Sequence, residues 1–151
     1  MGSLKIMEFS QEIRLIKFVE AYLGRACTWG ECDCNIFVLL AWDAVFGTNI
    51  AIHHRGKYKT SRGAIRYRRR SKWGSLQVLL ADEAGAVEIP QGFQQAGDIL
   101  IVPDDKWEMA HLCIGDKIVS ADPDDLVSLA PITALVNIPY QVWRYQSCLQ
   151  Q

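Results

Sequence analysis

Asp33-Cys34-Asn35-Ile36-Phe37-Val38-Leu39-Leu40-Ala41-Trp42 is an apolar run headed by a carboxylate and a thiol. The apolar character continues nearly all round to Phe46, which predicts a helix over 34–46 buried on most sides. Asp33 is suited to cap its first turn and Gly47 to end it. A helix N-terminus carries partial positive charge and unpaired N–H donors. A cysteine placed there is favoured as thiolate, the nucleophilic form.

Outward from this helix, Phe9, Ile13, Ile16, Val19, Tyr22 and Leu23 recur at spacings of three and four. They predict an amphipathic helix over 9–23, with Ser10 and Gly24 as start and stop. Residues 25–33 read as a loop and 48–60 as irregular. A basic helix is expected over 61–71, capped by Ser61, and a short one near 74–84.

After Pro90 the pattern changes to short β-type runs. These are Ile99–Val102, His111–Ile114, Ile118–Ala121, Leu126–Leu129 and Gln141–Tyr145, with one helical turn over Pro131–Leu135. Residues 86–96 read as the join. Helices first and strands second is the α+β pattern, a helical layer packed on one antiparallel sheet. The 151 residues suffice for one domain with a proper core, over 1–151.

Composition narrows the function classes. Apolar residues make up 50% and charged residues 22%, the mix of an ordinary globular protein. No stretch approaches the roughly 18 apolar residues of a membrane span. The first residues lack the apolar core of a secretory signal, and Ile6 departs from a myristoylation pattern. The five cysteines (Cys27, Cys32, Cys34, Cys113, Cys148) are odd in number and unevenly spaced. They predict reduced thiols rather than a disulfide framework. Net charge is −1, yet nine of the sixteen Lys and Arg lie between Arg55 and Lys72. That basic segment, 55–72, has three readings: a solvated helix face, a surface for an acidic partner subunit or anionic cell-wall polymers, or a nucleic-acid grip. The last ranks lowest because net charge is near zero.

Two side chains carry a candidate chemistry. Hydrolysis through a thiol needs a thiolate, a base to form it and an acid for the leaving amine. One histidine can fill both proton roles. Cys34 supplies the thiol, and His111, opening a strand-like run, supplies the imidazole. Cys27, Cys32, Cys34, His53 and His54 are zinc-ligand types, but they include no Cys-x-x-Cys unit. No metal or cofactor is therefore invoked.

Trp29-Gly30, Asp33-Cys34, Gly97-Asp98-Ile99-Leu100 and His111-Leu112-Cys113-Ile114-Gly115 resemble, in order, the motifs of NlpC-type, papain-like cell-wall cysteine peptidases. Arg55-Gly56-Lys57-Tyr58, Gly63-Ala64, Leu126-Val127, Pro131 and Trp143-Arg144 resemble a small phage-encoded branch of that superfamily, found among tail genes. The resemblance implies a papain-like NlpC-type α+β fold. Its central helix starts at the cysteine and packs on a C-terminal antiparallel sheet. It implies Cys34 as nucleophile, His111 as base, and the peptide stem of peptidoglycan as substrate, cut at an amide bond. Other tail or tail-tip proteins would be partners. The protein would occupy the host cytoplasm before assembly and the virion after it.

Three positions depart from the family pattern. Asn35-Ile36 follows the cysteine where Ser-Gly is usual. Cys27 stands where a tyrosine lines the site. Ser120 matches the third, orienting residue, commonly histidine. Asp122, two residues on, shares strand-face parity with Ser120 and is the preferred orienting group, with Ser120 as the alternative. These departures motivate a rival reading, a catalytically degenerate subunit of a phage tail tip with the same fold.

Overall fold

The structure is a computed structural model and describes residues 7–104 and 106–145. Four helices precede most of the sheet: α1 (Phe9–Tyr22), α2 (Cys34–Phe46), α3 (Ser61–Arg70) and α4 (Leu76–Ala84). Six strands follow: β1 (Val87–Ile89), β2 (Ile99–Val102), β3 (Met109–Cys113), β4 (Lys117–Ser120), β5 (Ser128–Pro131) and β6 (Gln141–Arg144). Single 3-10 turns cover Ala51–His53 and Ile132–Leu135. The α+β architecture is as the pattern implied.

α2 begins and ends where its sequence says. The Asp33 side chain accepts from the Asn35 and Ile36 N–H groups, and Gly47 closes the helix in the left-handed conformation. The other caps differ from expectation by one or two residues. α1 starts at Glu8, through a reciprocal capping box with Gln11 rather than at Ser10. Thr60, not Ser61, caps α3 by accepting from the Gly63 N–H, and Ser75 caps α4.

The sheet runs β1-β6-β2-β3-β4-β5, and every pairing is antiparallel. β1 falls inside the segment read as a join. Its three residues gain their place by pairing Val87 with Arg144 and Ile89 with Val142. Side chains alternate between the two faces of the sheet. Ile99, Ile101, Ala110, Leu112 and Val119 join Phe37, Val38 and Trp42 of α2 in the main core. Leu100, Cys113, Ile118 and Val142 form a second cluster on the far face, with Leu135 among them.

Candidate active site

Asp33 is fully buried and its carboxylate is saturated. Oδ1 accepts from Asn35 N–H and Ile36 N–H, both at 3.1 Å. Oδ2 accepts from Gly30 N–H at 2.9 Å and from the Tyr58 hydroxyl at 2.8 Å. Burial raises its pKa, against these donors. Gly30 has φ +85° and lies against Tyr58, so a Cβ there would overlap the Tyr58 carbonyl oxygen. The Gly56 N–H donates to the Gly30 carbonyl at 2.8 Å. Trp29-Gly30, Asp33-Cys34 and Arg55-Gly56-Lys57-Tyr58 are thus three strands of one knot.

A second knot joins the sheet motifs. Arg144 is buried and grips buried Asp98 with both arms: Nε to Oδ1 at 2.9 Å and Nη2 to Oδ2 at 2.8 Å. The Trp42 indole N–H donates to the Gly97 carbonyl at 2.9 Å. Asp33 with Tyr58, and Asp98 with Arg144, thus each tie together residues far apart in the chain.

The Cys34 sulfur lies inside a third network. It accepts from Asn35 Nδ2 at 3.3 Å and from the Ala110 N–H at 3.5 Å, and its thiol donates to the Glu108 carbonyl at 3.8 Å. Asn35 Nδ2 also donates to that carbonyl, at 2.9 Å. Behind it, Arg68 donates to the Asn35 side-chain oxygen at 2.9 Å and to the Glu108 carboxylate at 2.7 Å. The same carboxylate accepts from the Leu76 N–H at the head of α4. The Arg68 guanidinium stacks 4.7 Å from the centre of the Trp107 ring. Cys34 is 1% exposed. Burial pushes its thiol up to about 11, and the Asp33 charge adds to this, while the Ala110 N–H works against it. Burial outweighs the helix terminus, whose Asn35 and Ile36 N–H groups are engaged by Asp33.

His111 goes elsewhere. On β3 it is paired with Leu100 of β2, and its neighbours Ala110 and Leu112 are the ones that face the helices. Its side chain therefore shares the far face with Leu100 and Cys113. There His111 Nδ1 and Ser120 Oγ are 2.7 Å apart. No hydrogen bond joins His111 to Cys34 among the described residues. Burial lowers the His111 pKa, with the Asp122 charge opposing.

Ser120, the alternative orienting group, is the side chain in hydrogen-bond contact with His111, while Asp122 acts on it through charge alone. β4 ends at Ser120, so the strand parity that favoured Asp122 does not extend to it. Asp122 Oδ1 is buried with no hydrogen-bond partner, and its charge reaches both Cys34 and His111.

Three further placements differ from expectation. Cys27 and Cys32 are joined as a disulfide, their Cα atoms 5.0 Å apart, whereas Cys34 and Cys113 are free. Cys148 lies outside the described residues. His54 does lie in the irregular 48–60 segment, in a turn, but it is buried there between Tyr67 Oη and Glu83 Oε1, each 2.7 Å away. Arg68, counted with the basic segment, is buried in the Cys34 network. Its position four residues after Ala64, on the apolar side of α3, was the available signal. Among the described residues no group of three or more His, Cys, Asp and Glu is arranged to hold a metal ion. Among them, too, no helix is long and apolar enough to cross a membrane.

A family model described as Domain of unknown function (DUF6950) matches residues 7–139. The chain belongs to DUF6950. No curated protein matches it. The matched span of DUF6950 takes in α1 to the loop before β6, and so both Cys34 and His111.

Proposed function

We propose that this protein is a catalytically silent relative of the NlpC-type, papain-like peptidases, acting as a structural or assembly subunit of a phage tail tip. One observation carries the silent part. The Cys34 thiol is sealed among Asn35, Glu108 and Ala110, while His111 pairs with Ser120 on the other face of the sheet. A thiolate–imidazolium pair needs the thiol lowered and the imidazole near neutrality or above. Here the thiol is raised and the imidazole lowered.

The tail part rests on the resemblance. Arg55-Gly56-Lys57-Tyr58 and Trp143-Arg144 are among the residues that carry it, and Gly56, Tyr58 and Arg144 have architectural work in the two knots. A subunit of this kind would be made in the host cytoplasm and end in the virion.

The runner-up is an active cysteine hydrolase that cuts peptidoglycan stem peptides. It draws support from the thiol at the head of α2 and from Asp122, whose charge reaches both Cys34 and His111. Digestion of purified murein by the wild type and by Cys34→Ala separates the two. We expect neither to release material above background. Release by the wild type that is lost in Cys34→Ala would overturn the silent reading.

A further inference from the structure

α1 turns an apolar stripe outward. Phe9 is 75% exposed and Ile16 57%. Beside them lies a groove of about 390 Å³ floored by Leu15, Val19 and Ile114, with Glu12 and Glu20 on its rim. α3 presents the opposite charge. Arg62, Arg66, Arg69 and Arg70 are exposed around half-buried Ile65 and line a groove of about 450 Å³. No ion pair engages any of these four arginines, or Glu12 or Glu20, among the described residues.

The two surfaces match in pitch as well as sign. Glu12 and Glu20 are two turns apart, about 12 Å along the helix, with Ile16 between them. Arg62 and Arg70 are separated by the same about 12 Å, with Ile65 between them. The grooves share no lining residue, so among the described residues neither surface of a chain occupies the other.

We infer that α3 of one copy docks along the α1 groove of a second copy, head to tail. Ile65 enters the apolar floor while Glu12 and Glu20 receive the arginines. A contact between two different surfaces of the same chain leaves one of each unused, so it propagates into a ring or a filament. A nucleic acid or another polyanion would use the arginines alone. It would leave the acidic, apolar groove on α1 without a role, and it would meet a molecule of net charge −1.

The inference deepens the assembly reading and rests on it for its purpose. Sedimentation velocity on the full chain tests it across concentration and salt. We expect association that grows with concentration and weakens as salt is raised. Arg62→Glu with Arg66→Glu and Arg70→Glu is expected to weaken it by roughly a hundredfold or more. Glu12→Arg with Glu20→Arg does the same, and a chain carrying both sets regains association. All these side chains are exposed, and an unchanged thermal melt confirms that each variant is folded. A chain that stays monomeric at every concentration overturns the inference. So does association indifferent to both sets. Salt-sensitive binding of a single-stranded oligonucleotide, lost with the arginines in a chain that stays monomeric, overturns it in favour of a polyanion site. Murein digestion would instead overturn the assembly reading, and it leaves the sedimentation result to be judged separately.

Discussion

His111 Nδ1 sits 2.7 Å from Ser120 Oγ, on the sheet face opposite Ala110, whose N–H donates to the Cys34 sulfur at 3.5 Å. One residue along β3 separates the group that touches the thiol from the group that was to activate it. Strand alternation makes that single step a change of face. Bringing the His111 side chain to the helical face would take a one-residue slip of β3, which would turn Ala110 and Leu112 out of the main core.

The titration of His111 follows from this placement. Burial holds its folded pKa below the ordinary 6.5. Between that lowered value and 6.5 the unfolded chain binds more protons, so stability falls as pH drops through this window. His111→Gln should flatten that slope. Asp122→Asn should lower the His111 value further, because the Asp122 charge now raises it. Imidazole proton shifts followed by NMR report this directly. Titration of His111 above 6.5 would contradict it and favour an ion pair.

Cys34 should resist alkylation in the folded chain. With burial pushing its thiol from the ordinary 9.0 up to about 11, the thiolate fraction near pH 8 is about a hundredfold below that of the unfolded chain. Mass spectrometry after iodoacetamide treatment, with and without urea, measures the ratio. Cys113, also buried with its thiol at about 11, provides the internal comparison. Selective labelling of Cys34 in the folded chain at neutral pH would sink the sealed-site description.

The Asp33 knot should be costly to cut. Tyr58→Phe removes one of four donors and is expected to cost about 1 kcal/mol. Asp33→Ala leaves Gly30, Asn35, Ile36 and Tyr58 donors without their acceptor and should cost about 3 kcal/mol or more. Gly74→Ala, at φ +74° with open space around it, should cost about 1–2 kcal/mol. Gly30→Ala should exceed it clearly, because its Cβ meets the Tyr58 backbone. Urea midpoints order the four variants, and equal losses at the two glycines would refute the interlock.

Arg144→Met is expected to destabilise by about 3–5 kcal/mol, because it strands the Asp98 carboxylate in the core. Adding Asp98→Asn should recover part of that loss. Burial already holds Asp98 above 3.8 despite Arg144. Between 3.8 and that raised value the folded chain binds more protons, so this group alone favours folding as pH falls through the window. A single Arg144→Met variant as stable as the wild type by chemical denaturation would remove the second knot from the account.

The parts legible in the sequence are those governed by neighbours along the chain. α2 runs from Cys34 to Phe46 as read, because its cap, apolar surface and glycine stop are all local. β2 and β6 follow from short apolar runs flanked by turn residues. β1 was hidden because three residues carry little pattern, and its partner, β6, lies far along the chain. Arg68 was misplaced because a run of arginines suggests water on every side, whereas its helical phase aligns it with Ala64. The Cys27–Cys32 bridge depends on how the loop before α2 bends, which composition does not reveal. The pairing of His111 with Ser120 is one of the two the sequence offers, because β3 and β4 are both legible as short runs while the end of β4 at Ser120 is not.

The order β1-β6-β2 sets a timetable for folding. β6 is inserted between two strands made long before it, and with it comes the guanidinium that neutralises Asp98. Until the ribosome has released residues 141–144, β1 has no partner and a carboxylate waits at the centre of the sheet. A nascent chain can shape its helical layer early, but it cannot close its sheet. Premature termination just short of β6 would leave an open strand slot between β1 and β2 and an unpaired Asp98.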